Sequence, residues 1–300
     1  MIEPEPSVDV VVVTYENAST ARACVRPLVG APELAVVVVD NASSDGTLEA
    51  VRDLPVRVVP LGENRGFGAG CNAGWRTGSA PAVLFLNPDA EASRRDVLAL
   101  LDVLSEQPDV GIVAPRIVGE DGTLHPSLRR FPRIASTYAQ ALSLHRLFPH
   151  RPWVDELVRE PDAYAAPHAV EWASGACLLV RRSLLEELDG FDERFFMYCE
   201  DTDLCRRAWN AGQRVVYTPE SVVRHLGGRS APRASLLPTL ARSRRLYAEK
   251  HLGSRGAVAV RVGIALGSLS RALASLGAGA RAVRRGHLGA AGAVLRPLDP

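Results

Sequence analysis

VDVVVVTYEN, residues 8–17, sets five valines in six positions before turning polar. A strand with one wet face alternates apolar and polar side chains; this one does not, so both its faces must be covered. LAVVVV (34–39), VRVV (56–59) and AVLFL (82–86) repeat the pattern, with stretches of helical length between them. The first hundred residues therefore predict βαβ units forming a mainly parallel sheet with helices on its faces. Ligands bind such sheets beyond the carboxyl ends of the strands. There the sequence is polar: Thr14 and Tyr15 after the first run, Asp40 and Asn41 after the second, Asn64 to Gly68 after the third, Asn87 and Asp89 after the fourth.

Farther on, residues 125–168 are Pro- and His-rich with weak periodicity, and predict a loop-dominated insertion placed to line a substrate cleft. AVEWASGACLLVRR (169–182) reads as one strand and SLLEELDGF as a short helix ended by Gly190. EDTDLCRRAWNAG (200–212) predicts a helix with Gly212 just past its end, and RVVYT (214–218) and SVVRH (221–225) two closing strands.

A chain of 300 residues, 47% hydrophobic and 23% charged, has the makeup of a globular protein with a sizeable core. Its five cysteines are scattered and form no C-x-x-C pair, which predicts reduced thiols and a cytoplasmic protein. MIEPEPSVDV lacks the basic start and apolar run of an export signal. The net charge of +1 conceals an asymmetry: residues 221–300 carry fourteen Lys and Arg against Glu249 and Asp299, a balance of +12, leaving −11 for the first 220. A basic tail points to an anionic partner. With Tyr247 its one aromatic after residue 230, the tail lacks base-stacking side chains, which argues against nucleic acid. Its uncharged intervals, Val262 to Ser270 among them, are far short of the ~20 residues of a bilayer span. Val262, Leu266, Leu269, Leu273 and Leu276 fall on one side of a helix of about four turns. That face either packs on the protein itself or rests on an anionic membrane surface.

Several short segments carry chemistry. Asp40 in VVDNASSDGT (38–47) suits an Asx-type turn opening a helix as well as a polar ligand contact. ENRGFGAGCNAGW (63–75) offers glycines that let backbone N–H groups approach a phosphate. Gly66, Gly68 and Gly70 alternate, however, and follow the third strand, unlike a dinucleotide-binding fingerprint. LNPDA (86–90) puts Asn87 and Asp89, both oxygen donors, where a hard divalent cation could bridge phosphate oxygens. Trp172 offers a face for a sugar ring or for the core, and Gly175 permits close approach of a ligand to backbone. Finally, FFMYCEDTDLCRR (195–207) clusters Glu200, Asp201 and Asp203. A helix N-terminus favours acidic side chains, and Asp203 can pair with Arg207 one turn on, so part of this cluster has a structural explanation.

In order, VVVTYEN, VVDNASSDGT, ENRGFGAGCN, LNPDA, WASGACLLVRR, GFDERFFMYCEDTDLCRRAWNAG and the HLGG at His225 resemble the family 2 glycosyltransferases of GT-A fold. Within them the likeness is to bacterial rhamnosyltransferase-like enzymes that build cell-wall or surface polysaccharide, and it runs over about residues 8–251. The resemblance implies an α/β GT-A domain over residues 1–228, with a donor half to about 110 and an acceptor half from 111, followed by a helical basic region, 229–300. It implies that Thr14, Tyr15, Asp40, Asn64 and Gly66 surround a nucleotide sugar. Asn87 and Asp89 stand where the family carries an Asp-x-Asp, Asn87 replacing the first aspartate and leaving Asp89 the main charged ligand of Mn²⁺ or Mg²⁺, with His225 as a late metal ligand. Asp201 is implied as the general base and Glu200 as a residue orienting the acceptor. The expected activity is inverting, metal-dependent transfer of a sugar, rhamnose from dTDP-rhamnose foremost, to a glycan or polyprenyl-linked glycan, by an enzyme peripheral on the inner face of the membrane. UDP- or GDP-sugars (galactofuranose, hexosamine, mannose) are the alternative donors, and a non-catalytic nucleotide-sugar-binding relative the alternative class. A nucleotidyltransferase is disfavoured because VVVTYENAS lacks a Gly-rich, basic phosphate loop.

Overall fold

The valine-rich runs form strands β1 (Val8–Thr14) and β2 (Leu34–Asp40), with α1 (Ala21–Val25) between them. Then follow α2 (Thr47–Val51), β3 (Arg57–Pro60), α3 (Phe67–Trp75), β4 (Ala82–Leu86), β5 (Ala90–Glu91), α4 (Arg94–Glu106) and β6 (Val110–Val118). The middle of the chain gives β7 (Leu128–Arg129), α5 (Ile134–Ala141), β8 (His168–Ala169), β9 (Trp172–Ala173), β10 (Cys177–Arg181), α6 (Arg182–Leu188), α7 (Glu200–Asn210) and β11 (Arg214–His225). Three helices end it: α8 (Leu237–His251), α9 (Gly253–Ala274) and α10 (Arg281–Leu295). This computed structural model describes residues 5–148, 151–227, 234–275, 277 and 280–296.

Two units are distinguished: Met1–Arg129 with Glu160–Arg194 and Glu200–Gly228, and Arg130–Arg159 with Phe195–Cys199 and Arg229–Pro300. The first is built on a nine-stranded sheet of order β3-β2-β1-β4-β10-β6-β11-β5, with β8 joined to β11. β1 pairs in parallel with β2 on one side and β4 on the other, so the strand order reverses at β1 and opens a crevice at its carboxyl end. Every residue of β1 and β4 is buried. Val10, Val12, Val36, Val38, Leu84, Leu100 and Leu179 share one core, each such side chain stabilising by about 1.5–3 kcal/mol. α4 starts at a capping box in which Ser93 and Asp96 satisfy each other's backbone N–H groups.

Several elements differ from the sequence reading. β3 is an edge strand and mostly exposed, because only β2 adjoins it. Residues 169–182 break into β8, β9 and β10, and β10 runs antiparallel between β4 and β6, so the second half of the sheet is mixed. The two expected closing strands are one, β11, whose register against β6 shifts between Arg214 and Val215 and again between Thr218 and Val222. The insertion at 125–168 carries a helix, α5, which packs within the second unit against α9.

α9 is longer than the four turns expected, 22 residues, and by length and composition alone it could cross a bilayer. Its small residues Gly256, Ala257, Gly263, Ala265, Gly267 and Ala272 are buried, whereas Val262, Leu266, Leu269 and Leu273 are 44%, 54%, 41% and 77% exposed. These four side chains of the apolar stripe thus keep 41% or more of their surface exposed; Leu276 lies outside the described residues.

Candidate active site

β1 and β2 stop in register at Thr14 and Asp40. Thr14 Oγ1 donates to Asp40 Oδ1 at 2.9 Å, and Ser43 gives Asp40 two more hydrogen bonds, from its N (2.9 Å) and Oγ (2.6 Å). Asp40 is thus buried and laced into its own loop, the Asx-type role and the rim position together. Tyr15 stands beside it, 49% exposed. Glu16 ties the two loops, its Oε1 accepting from Ser44 N and Oγ at 2.9 Å each. Asn41, buried, donates to Gly66 O at 3.0 Å and accepts from Arg65 N at 3.2 Å, while Asn64 Oδ1 accepts from Gly66 N at 3.0 Å. The side chains of Asn41 and Asn64 shape the turn into α3; sequence analysis marked Asn41 only as polar at the end of β2.

Beyond β4, Asp89 meets His225 at the end of β11, with Nε2 to Oδ1 at 3.0 Å. The short β5–β11 ladder, which pairs Ala90 with His225, holds them together. A Cβ on Gly227 would lie 2.1 Å from Asp89 Oδ2 and 3.3 Å from His225 Nε2, so only glycine fits beside the pair. Burial raises the Asp89 pKa, but the hydrogen bond and charge of His225 outweigh it and hold the carboxyl below its usual value. The His125 ring packs edge-on against His225, centroids 6.4 Å apart. Burial and the neighbouring His225 and Arg129 charges push the His125 pKa down. Among the described residues, no group of three or more His, Cys, Asp or Glu side chains is arranged around one metal position.

The WASGA turn links this corner to the acidic cluster. Asn87 N donates to Ala176 O at 2.9 Å, and one residue earlier Gly175 N donates to Asp201 Oδ2, also at 2.9 Å. A Cβ on Gly175 would stand 3.2 Å from the Asp201 Cβ and 3.3 Å from Oδ2. Gly175 thus permits a close approach of Asp201. Asp201 Oδ1 accepts from Thr202 N at 2.7 Å. Burial raises the Asp201 pKa, against the pull of the Gly175 and Thr202 hydrogen bonds and the Arg129 charge. Glu200 is pushed well above the carboxylate range by burial and by Asp201, and its Oε2 is buried with no hydrogen-bond partner. Asp203, fully buried, pairs with Arg207 at 2.7 Å, as expected, and Arg207 goes on to cap Leu188 O and Gly190 O.

Trp172 is 8% exposed, and the Arg129 guanidinium lies over its ring, 5.5 Å from the centroid. Strands β7 and β9 set the pair directly opposite each other. Arg129, facing Asp201, His125 and Trp172, is the charged residue of the site that sequence reading missed, since SLRR carries no periodic or motif signal. Tyr198 and Cys199, just before α7, take left-handed backbone angles (φ 69° and 65°), a strained entry into the helix bearing Asp201.

The Glycosyl transferase family 2 model matches residues 9–189, and that of Glycosyl transferase family group 2 matches residues 162–247. The chain is 36% identical over 268 residues to the N-acetylglucosaminyl-diphospho-decaprenol L-rhamnosyltransferase of Mycobacterium tuberculosis, covering 81% of this chain and 85% of that protein. It is 30% identical over 138 residues to the rhamnosyltransferase WbbL of Escherichia coli, 46% of this chain and 49% of that one. In structure it resembles the mannosyltransferase PcManGT of Pyrobaculum calidifontis, solved with GDP-Man and Mn²⁺, with a TM-score of 0.59 over 97% of this chain and 88% of that one at 20% identity. The fold is GT-A, and the chain belongs to glycosyl transferase family 2.

Proposed function

We propose that the protein transfers a deoxyhexose, rhamnose from dTDP-rhamnose, onto a polyprenyl-linked glycan in cell-wall or surface polysaccharide synthesis, with inversion at the anomeric carbon. The reading rests on the single turn that joins Asn87 to Ala176 and Gly175 to Asp201, because it brings a diphosphate corner and a basic carboxylate to one crevice. The likeness to the mycobacterial rhamnosyltransferase supports the choice of sugar and of a lipid-linked acceptor.

In this reading the acceptor hydroxyl attacks the anomeric carbon from the side opposite the diphosphate. A carbon–oxygen bond to the acceptor forms, the carbon–oxygen bond to phosphate breaks, and the hydroxyl proton passes to Asp201. Burial makes Asp201 a stronger base than a free aspartate, and its two backbone hydrogen bonds fix the carboxylate orientation. Glu200, whose ionised form is disfavoured by burial and by Asp201, has an unpartnered oxygen that would orient the acceptor. Arg129 stands where it can offset negative charge beside the base. Tyr15 and the loop fixed by Asp40 receive the nucleoside. The Asp89 carboxylate and the His225 imidazole, 3.0 Å apart, would with the Asn87 amide supply oxygen and nitrogen donors suited to Mn²⁺ or Mg²⁺, the imidazole favouring Mn²⁺. A bound cation would neutralise charge on the departing diphosphate. The basic tail and the exposed apolar stripe of α9 would keep the enzyme on the inner face of the membrane.

The test is thermal stabilisation by dTDP, UDP and GDP, each with and without Mn²⁺ or Mg²⁺. A ligand at 100 times its Kd adds about 2.7 kcal/mol. Stabilisation by dTDP with metal is the expected result; a response to UDP or GDP alone moves the donor to another sugar nucleotide, and no response to any of them removes the transferase reading.

A further inference from the structure

The second unit contains a cleft that takes no part in the site above. Helices α5, α8, α9 and α10 wall it, with Thr137, Gln140, Arg244, Ser268, Arg271 and His287 among the polar lining and small or aliphatic side chains for the rest. Its cavity volume is about 120 Å³ and it is partly open to solvent, which suits a small polar group and is less than the few hundred Å³ of a drug-sized ligand site.

Its charges do not balance. Arg244 pairs with Glu156, a carboxylate also engaged by Ser136 Oγ at 2.9 Å, and Nη1 of Arg244 reaches Gln140 Oε1 at 3.3 Å. Arg271 gives one hydrogen bond, Nη2 to Gln140 O at 2.7 Å, and has no carboxylate partner among the described residues. Burial and its cationic neighbours Arg146 and Arg244 push the Arg271 pKa below its ordinary value. A half-buried guanidinium with spare donors, set among like charges at a cleft wall, is stabilised by an anion that can accept several hydrogen bonds at once. Phosphate has the right charge and geometry.

The same unit also supplies a surface for hydrocarbon. Except for Tyr15, Val58 and Val222, all the exposed large apolar side chains among the described residues lie in it. α9 shows Gly263, Gly267 and Arg271 to the cleft and Val262, Leu266, Leu269 and Leu273 outward. We infer that the cleft bounded by Arg244, Arg271 and His287 binds the phosphate or diphosphate group of an amphiphile. Two sources share this chemistry, the headgroup of an anionic phospholipid and the diphosphate of a polyprenyl-linked acceptor; the second rests on the function proposed above.

The experiment uses the full chain in EDTA, so that no metal-dependent donor site competes. Binding is measured to inorganic pyrophosphate, to phosphatidylcholine vesicles containing phosphatidylglycerol, and to the same vesicles containing undecaprenyl diphosphate instead. Arg271→Gln is compared with Arg284→Gln, which removes the same charge from the exposed side of α10, outside the cleft lining. Loss of one charge-assisted phosphate contact is expected to weaken binding by roughly tenfold or more in Arg271→Gln, with a smaller effect in Arg284→Gln. A selective loss on phosphatidylglycerol assigns the cleft to phospholipid, one on undecaprenyl diphosphate assigns it to the acceptor, and one on pyrophosphate alone assigns it to free phosphate. Equal effects of the two variants, or none on any probe, overturn the site. Stabilisation of Arg271→Gln by nucleotide with Mn²⁺ shows that the variant is folded and keeps this result separate from the donor reading.

Discussion

Asp201 differs from an ordinary helix-capping carboxylate in its surroundings: two backbone N–H donors fix it, burial raises its pKa, and Arg129 opposes that rise. Asp201→Asn keeps the shape and removes the base, so kcat is expected to fall by about 10²- to 10⁴-fold while nucleotide affinity stays unchanged; equal losses in both would remove the base role. The ionised carboxylate is the active form, so the acid limb of kcat should lie above the pH of 3.8 expected of a free aspartate. Arg129 favours that ionised form, and Arg129→Met should therefore shift the limb to higher pH, which a pH–rate profile reads directly. The acidic cluster was legible in the sequence as residue types at a helix start. Arg129 was not, because its importance comes from a two-residue strand pairing that sets it over Trp172.

Strands β1, β2 and β4 were legible because uninterrupted apolar runs admit few other readings. VRVV offered a similar run, yet its strand is exposed at the edge: periodicity records composition, not the number of neighbours a strand finds. The division of 169–182 into three short strands escaped notice for a related reason, since WASGA serves as a turn whose donors and acceptors face Asn87 and Asp201. Asp9, in the first valine run, is 2% exposed and pairs with Arg182 at 2.5 Å, with Ala80 N donating to it at 3.0 Å. Arg182→Met would leave this carboxylate buried and unpaired, and urea unfolding should show a loss of about 3–5 kcal/mol. Asp9 lies near the start of β1, away from the ligand-binding ends of the strands, so nucleotide binding by the folded fraction should be unaltered.

Over the whole molecule, charge and apolar surface are both unevenly distributed: the acidic balance lies in the first 220 residues, the basic balance and the exposed apolar stripe in the C-terminal helices. The amphipathic pattern of α9 was legible, but not the direction its apolar side faces, because the packing face is made by the small residues opposite, which carry little hydrophobic signal. Replacing Val262, Leu266, Leu269 and Leu273 by serine should leave the melting temperature nearly unchanged and weaken sedimentation with anionic vesicles by roughly tenfold or more. Unchanged sedimentation would show that the stripe does not touch lipid. The second unit also claims Phe195–Cys199, the five residues before Glu200: Phe195 is fully buried, Lys250 lies over its ring, and Ser243 Oγ donates to Met197 O at 2.7 Å. Truncation after the last strand would strip that segment of its cover just before the residues that begin α7. A shortened gene ending near residue 228 should therefore yield a protein that is hard to express and poorly active, even though every residue assigned to the chemistry is still encoded.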